Sequence, residues 1–578
     1  MSLSTVVAVS FALLFLAIAV SFLPLIFRRK LTSHLTVLDD LLLLGRTRSE
    51  SDKIQGTAVI CGGSVAGLFA ARVCTDHFTS VVVVEPETWL NTTESESLPE
   101  PQYRISHDNV RNLINPRARV MQYTQQHVYQ APSLTILRSL FPEVEEEAAL
   151  LGATPQPADF KFMPSGITLP VPYEEYEEKT MPKAIFLTRG GFETLLRKLV
   201  VKHCPQVQFI NGTVTEITPS AADRMVVESV TIQGSKCEKS WQQSAAIVVD
   251  ATGAAQAGFT RWLGAAGYGA EVPPDPSKSL IDESGLASLR KSYETRRWYI
   301  TSTYKICPDL QDRLSLPGGF GEPRILYTYT PDVSREDPRT FMFTRIEGDG
   351  VLLACGGWSL ADRPKTVDQL QKHLASMNPR VPIPDWVHRA VDLLRECEEE
   401  ATHAEIRIPT CSYIHYHKAK DLPSNFIAVG DAMLRLSPAM GQGCTKAAMD
   451  ATTLNAHLSR VVVAPQNFKD EKMHSALPST FSTDFFLTQF RRLDYLWNST
   501  KAQDYGVPGT VPCKGEHAGV GSWRRKYGKY LFQLALKDMR VASKMYHVQH
   551  FLAPPTDLFL PSVTYQVLWH VLKTSVGL

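Results

Sequence analysis

Residues 57–87, "TAVICGGSVAGLFAARVCTDHFTSVVVVEPE", constrain the fold more than any other stretch of this chain. Thr57 to Cys61 is an unbroken run of small and β-branched residues, and Ser80 to Val84 leads through four valines to Glu85. Such runs suit strands covered on both faces. Between them, a glycine-rich turn followed by the apolar run Gly67 to Cys74 reads as a helix that starts directly after the turn. The unit is therefore strand, tight turn, helix and parallel strand. Gly62 permits the tight turn, and Gly67 lets helix and strand pack closely. Ser64 stands where a Gly-x-Gly-x-x-Gly turn has its second glycine. Its hydroxymethyl group is small enough to keep the close backbone approach, and its hydroxyl can donate to a phosphate. With Gly63 and Ala66 it completes a turn whose helix, beginning near Val65, aims its N-terminal amides at an anion. Glu85, 18 residues beyond Gly67, is placed to accept hydrogen bonds from an adenosine ribose. A dinucleotide site is the expectation.

The 578 residues are 44% hydrophobic and 21% charged, enough for two interwoven domains around large cores. A formal net charge of +1 without a long basic run argues against nucleic acid as a partner. The 10 cysteines form no CxxC pair and no metal-ligand spacing, so neither a metal site nor a disulfide framework is expected.

Leu3 to Phe27 carries no charge, and Arg28, Arg29 and Lys30 follow at once. A run of this length can cross a hydrocarbon core, and positive charge on its C-terminal side keeps that side in the cytoplasm. Residues 1–30 are thus read as a single-pass anchor, in the endoplasmic reticulum, with a cytosolic body. Under this topology the sequons at Asn91, Asn211 and Asn498 stay unmodified.

Residues 31–56 read as an amphipathic segment ("LTVLDDLLLLG") and a polar linker. Residues 57–295 form the nucleotide-binding domain, with inserted segments, in which "RGGFETLLRKLVVKHCP" is helical and "VQFINGTVTEI", "RMVVESVTIQG" and "AAIVVD" are strands. Residues 296–420 mix strands with two helices, as expected of a substrate sheet inserted into that domain. The nucleotide domain resumes over 421–482, and 483–578 is a helical C-terminal region. The fold class is α/β: a Rossmann-like domain, an interleaved β-sheet substrate domain, an N-terminal transmembrane helix and a helical C-terminal region.

Further along, "NFIAVGDAMLRLSPAMGQGCTKAAMDA" (425–451) resembles the second flavin motif of single-Rossmann, group A type FAD-dependent monooxygenases, the aromatic hydroxylases and their relatives. The resemblance implies FAD as cofactor, with Asp431 on the ribityl hydroxyls and Pro438, Gly441, Gln442 and Gly443 passing the isoalloxazine. A helix starting at Gly443 would set partial positive charge beside the flavin N1–C2=O edge. "VVDATG" (248–253) is similar to the family's adenine-side strand. "PRARVMQYTQQHVYQ" (116–130) resembles a block holding an arginine and a glutamine near the cofactor with a histidine after them. Arg117 or Arg119 matches the arginine, Gln122 or Gln125 the glutamine, and His127 the histidine. "LTRGGFETLL" resembles the segment whose arginine, here Arg189, lies near the ribityl or pyrophosphate.

With its anchor, the chain most resembles membrane-anchored fungal secondary-metabolite monooxygenases that act on prenylated aromatics or terpenoids, and more distantly squalene epoxidase. That likeness implies hydroxylation, with or without oxidative decarboxylation, of a lipophilic prenylated aromatic by O2 through a flavin hydroperoxide. No second nucleotide fingerprint is present, so NAD(P)H is expected as a transient reductant. The alternatives are epoxidation of a terpenoid alkene, reduction of a prenyl chain by a geranylgeranyl-type reductase, and a non-catalytic flavin-binding scaffold. The "WxWxIP" pattern of flavin halogenases is missing from the sequence. Spacing assigns no catalytic residue over 296–417. Tyr299, Tyr304, Tyr327, Tyr329, Trp358, Tyr413 and Tyr416 read as core or as pocket lining. Pro554, Pro555 and Pro561 argue against a C-terminal crossing helix and place that segment at the membrane face.

Overall fold

The computed structural model describes residues 26–177, 180–234, 239–253, 257–269, 285–331, 339–358, 362–463 and 477–576. The expected transmembrane run lies outside the described residues except for Ile26 and Phe27, which begin a helix over 26–35. Among the described residues, no helix is long and apolar enough to cross a membrane.

The valine-rich runs become the centre of a seven-stranded sheet. Its order is Ser240–Ser244, Val227–Gly234, Val207–Pro219, Phe78–Glu85, Ile54–Cys61, Ile247–Asp250 and Phe426–Ala428. From Val207–Pro219 to Phe426–Ala428 all pairings are parallel. Val81 to Val84 and Ala58 to Cys61 are buried on both faces, which is why they lack the polar alternation of a half-exposed strand. The helices Val65–His77, Arg189–His203 and Gly443–Ser459 complete this domain. Its last strand comes from residue 426, so the chain leaves the sheet and returns to it around the inserted domain.

The insertion supplies five strands of an eight-stranded sheet in the order Tyr103–Ile105, Arg111–Leu113, Thr402–Arg407, Arg297–Lys305, Gly350–Trp358, Arg339–Arg345, Arg324–Thr330 and Phe162–Pro164, the three from residues 103–164 coming from the segment before it. Two helices, Val367–Ser376 and Asp385–Leu393, cover it. Leu370, Leu374, Val387 and Val391 pack there against Tyr327, Phe343 and Leu353. Thr366 and Gln369 start the first helix with a reciprocal capping box. The two ends of the insertion meet, Arg290–Tyr293 pairing with Cys411–Ile414, which pairs with Leu434–Arg435. Tyr413 and Tyr416 consequently sit in the nucleotide-domain core, while Tyr304, Tyr327 and Tyr329 fill the core of the insertion. They are packing residues.

The segment over 31–56 is pinned to the body. Asp40, in the short helical turn Asp40–Leu43, pairs with Arg492 at 2.6 Å. Arg48 Nη2 donates to the carbonyls of Leu458 and Val461, both at 2.6 Å. The C-terminal region is four helices, Phe481–Tyr505, Ser522–Ala535, Met539–Gln549 and Pro561–Val576.

Candidate active site

Gly62 has φ +113°, and a Cβ there would lie 2.5 Å from the Ala251 carbonyl oxygen. A Cβ at Gly67 would lie 1.8 Å from the Gly62 carbonyl oxygen. Neither position admits a side chain, so strand and helix meet at their closest where the sequence places the turn. Ser64 precedes the helix in extended conformation. Its hydroxyl donates to Glu193 Oε2 (2.8 Å) and accepts from Arg189 Nη2 (2.9 Å). The Gly63 amide donates to Glu85 Oε2 (2.8 Å), and Glu85 Oε1 accepts from the Glu87 amide (3.0 Å).

Around this turn lie three buried arginines and three glutamates. Arg117, 1% exposed, pairs with Glu87 and Glu193 and stands 3.6 Å from Glu85. Arg189 pairs with Glu193 at 2.7 Å. Arg197 donates to the Leu90 and Gly63 carbonyls, and burial lowers its pKa to about 10. Of the two arginines left open by the sequence, Arg117 enters the cluster and the Arg119 side chain is exposed. Only the Arg119 backbone amide reaches the cluster, at Glu87 Oε1 (3.2 Å).

The glutamines separate in a similar way. Gln122 is half-buried, whereas Gln125 is buried and accepts from the Thr301 hydroxyl at 3.0 Å, on the central strand of the substrate sheet. His127 Nδ1 meets the Gln125 carbonyl at 2.9 Å. Burial, then the Arg189 charge, hold its pKa at about 4, so the ring is neutral near pH 7.

Asp431 is brought beside the first turn by Gly430. With φ +62°, Gly430 packs so tightly that a Cβ would lie 2.6 Å from Ala66 Cβ. The Gly430 amide donates to Asp450 Oδ2 (2.7 Å), an oxygen that also accepts from Lys446 Nζ (3.1 Å). Both groups are fully buried, and the pair fixes the Gly430–Asp431 loop to the helix Gly443–Ser459.

Pro438–Met440 is a helical turn ending at Gly441, whose φ is +62°. A Cβ at Gly441 would lie 2.1 Å from Val128 Cγ2. Gln130 holds this turn, its Nε2 donating to the carbonyls of Met440 (3.1 Å) and Gly441 (3.3 Å). Gln442 caps the following helix, and Pro438 and Gly443 are exposed on the turn's open side. Ser437 Oγ is buried without a hydrogen-bond partner among the described residues.

A carboxylate from the insertion completes the assembly. Glu347 accepts from the Thr188 amide (2.8 Å) and the Thr188 hydroxyl, at the start of the helix that carries Arg189. Burial raises its pKa. A Cβ at Gly191 would lie 2.4 Å from Glu347 Oε1, so that glycine makes room for the carboxylate.

These residues fit FAD. Beside the turn where Gly62 and Gly67 leave no room for a Cβ stand the Ser64 hydroxyl and, from another helix, the Arg189 guanidinium, suited to a pyrophosphate; a carboxylate ends the second strand, and an unpartnered hydroxyl precedes an open turn at a helix start. Gln130, Glu193, Glu347, Lys446 and Asp450 escaped the sequence reading. Two pairs four residues apart, Arg189 with Glu193 and Lys446 with Asp450, carry a local signal, and it equally describes a solvated helix face.

No protein-family model matches the chain, and no curated protein does. Solved structures share its fold. The flavin-dependent brominase Bmp2 is similar with a TM-score of 0.50 and 12% identity, covering 91% of this chain and 100% of its own. A flavoprotein/dehydrogenase from Cytophaga hutchinsonii gives a TM-score of 0.50 and 13% identity, covering 90% of this chain and 99% of its own. PqsL from Pseudomonas aeruginosa, described as a probable FAD-dependent monooxygenase, gives 0.48 and 14%, covering 82% and 99%. The chain shares with Bmp2 and the Cytophaga flavoprotein a fold in which a Rossmann-type parallel sheet is joined to a second, mostly antiparallel sheet.

Proposed function

We propose that this chain is an FAD-dependent monooxygenase that takes electrons from NAD(P)H and oxygen from O2 and hydroxylates a lipophilic, prenylated aromatic compound. One chain of contacts carries the proposal: the Gly430–Asp431 loop packs on Ala66 of the first turn, the Pro438–Gly443 turn packs on Val128, and Gln125, three residues before Val128, bonds Thr301 of the second sheet. Ser64 and Arg189 would hold the pyrophosphate, Glu85 the ribose and Asp431 the ribityl chain. Bound FAD supplies two-electron redox chemistry and the activation of dioxygen.

The chain's own residues bind, orient and exclude water. Gln130 holds the Pro438–Gly443 turn, and the helix that starts at Gly443 would offer its positive end to an electron-rich edge of a bound flavin. Val128, Phe160, Phe186 and Ile325, with Leu552 from the C-terminal region, pack as an apolar wall between turn and sheet. Such a wall would exclude water from the face of a bound cofactor. Arg28, Arg29 and Lys30 after an uncharged run support anchorage of the body on the cytosolic face of the endoplasmic reticulum, where a lipophilic substrate partitions.

Epoxidation of a terpenoid alkene would use the same architecture, whereas a prenyl reductase places hydrogen in its product. Likeness to a brominase is likeness of fold, and the sequence lacks the halogenase tryptophan pattern. Full-length protein supplied with NADPH and lipophilic phenols under labelled dioxygen should place one labelled atom in product and the other in water. Undiminished turnover without oxygen, yielding a saturated product, would overturn the proposal.

A further inference from the structure

The C-terminal helix Pro561–Val576 is apolar on two opposite sides. Val563 and Val567 are buried against Leu531, Ala535, Val541 and Ala542. Tyr565, Leu568, Trp569 and Leu572 stand 67%, 58%, 51% and 57% exposed. Their spacing of three, one and three residues sets all four on one outward stripe. Phe559, just before the helix, and Trp523 lie with rings 6.3 Å apart and are exposed as well. Scattered exposed leucines need no explanation, but a contiguous aromatic and aliphatic stripe marks a contact surface.

What covers the stripe is indicated by where the chain leaves the described body. Asp557, in the turn Pro555–Phe559 leading into this helix, receives the Arg28 guanidinium, with Nη2 to Oδ2 at 2.6 Å. The ion pair fixes residue 28 beside the start of the stripe. Ile26 and Phe27, 65% and 63% exposed there, are the last two residues of the uncharged run that begins at Leu3. If that run crosses a bilayer, the stripe is held at the bilayer surface. A helix of 16 residues, about 24 Å long, is too short to cross and suits lying in the interface. Cations flank the aromatic rings, Lys573 5.6 Å from the Trp569 ring centre and Arg524 5.3 Å from that of Trp523. Tryptophan and tyrosine beside Lys and Arg match the headgroup zone of an anionic membrane.

We propose that the Tyr565–Leu572 stripe, with Phe559 and Trp523, docks in the interface of an anionic phospholipid bilayer as a second membrane contact clamped to the anchor by Arg28 and Asp557. The inference rests on the reading of residues 3–27 as a membrane anchor. It sets the body's orientation on the membrane, which a single point of attachment would leave free.

The test uses the full chain in vesicles of phosphatidylcholine and phosphatidylserine, with photoreactive benzoyl-phenylalanine in place of Leu568, Leu572, Val381 or Phe15. Val381 is exposed on the substrate domain and Phe15 lies in the uncharged run. Lipid adducts at Leu568 and Leu572, with none at Val381, are the expected result. Adducts from Leu568 or Leu572 to residues 1–25, adducts to a second copy, or no lipid adduct would overturn the docking. The Phe15 position reports on the anchor separately: lipid adducts there but not at Leu568 would leave the anchor standing and remove only the docking.

Discussion

Gln130 and Thr445, 315 residues apart in sequence, are joined twice. The Gln130 amide donates to Thr445 Oγ1 at 3.1 Å, and Thr445 Oγ1 donates to Gln130 Oε1 at 2.6 Å. Ser133 Oγ lies 2.8 Å from the same hydroxyl, and Gln130 Nε2 holds the Met440 and Gly441 carbonyls. The starts of two helices, Ala131–Leu140 and Gly443–Ser459, are thereby locked around the Pro438–Gly443 turn.

Gln130→Ala would remove the bonds to the half-buried Met440 and Gly441 carbonyls and the acceptor of the Thr445 hydroxyl, three hydrogen bonds in all, at a cost of about 1–3 kcal/mol in denaturant unfolding. The loosened turn should weaken FAD binding by roughly tenfold, about 1.4 kcal/mol. Fluorescence titration of the variant with FAD reads this directly, and unchanged affinity would separate the clamp from the cofactor.

Arg117 and Arg119 should part company. Arg117→Met strips a buried cluster of its central cation and should cost about 3–5 kcal/mol, with loss of FAD. Arg119→Met, at an exposed side chain, should stay within about 0.5 kcal/mol of the parent protein. Flavin content and unfolding midpoints of the two variants, measured side by side, decide the assignment.

Gly430→Ala should lower flavin content while leaving secondary structure intact. The new Cβ would press on Ala66 and occupy a left-handed backbone conformation that costs roughly 1–2 kcal/mol. Circular dichroism and flavin absorbance on the same sample distinguish loss of site from loss of fold.

Asp250 predicts a pH dependence. It is fully buried at the end of the parallel strand Ile247–Asp250, accepts from the Thr252 amide and hydroxyl, and has its pKa pushed up to about 6, burial being the main cause. Below the ordinary value of 3.8, both folded and unfolded chains hold the proton. As pH rises from there to about 6, only the folded chain still holds it, so the stability it contributes is progressively lost, by up to about 3 kcal/mol. Asp250→Asn should remove this slope, the two proteins diverging between about pH 4 and 6 in denaturant titrations. Parallel stability curves across that window would contradict the assignment.

What the sequence disclosed follows local backbone physics. Val81 to Val84 announce a strand covered on both faces, and Gly62 and Gly67 announce a turn without room for a Cβ, because each requirement acts within a few residues. Arg117 and Arg119 could not be told apart, since they lie two residues apart on an irregular stretch and only tertiary packing turns one inward. Gln130, Glu193 and Glu347 were invisible for a related reason. Partners that place them at the site lie on segments distant in sequence: Thr445 for Gln130, Ser64 and Arg117 for Glu193 beside its local pair with Arg189, and Thr188 for Glu347. The polar stretch at 46–53 resembles a free linker because its anchoring bonds, from Arg48 to Leu458 and Val461, cross about 410 residues.

The central claim is that the Gly62–Gly67 turn, Glu85, Asp431 and the Pro438–Gly443 turn together bind a flavin. Its most direct test is the cofactor content of the purified full-length protein. The account predicts one non-covalent FAD per chain, released on denaturation and largely absent from Gly67→Leu protein, where even a Cβ would lie 1.8 Å from the Gly62 carbonyl oxygen. A colourless parent protein that takes up no FAD on titration, or a Gly67→Leu protein that keeps full flavin content, would contradict it.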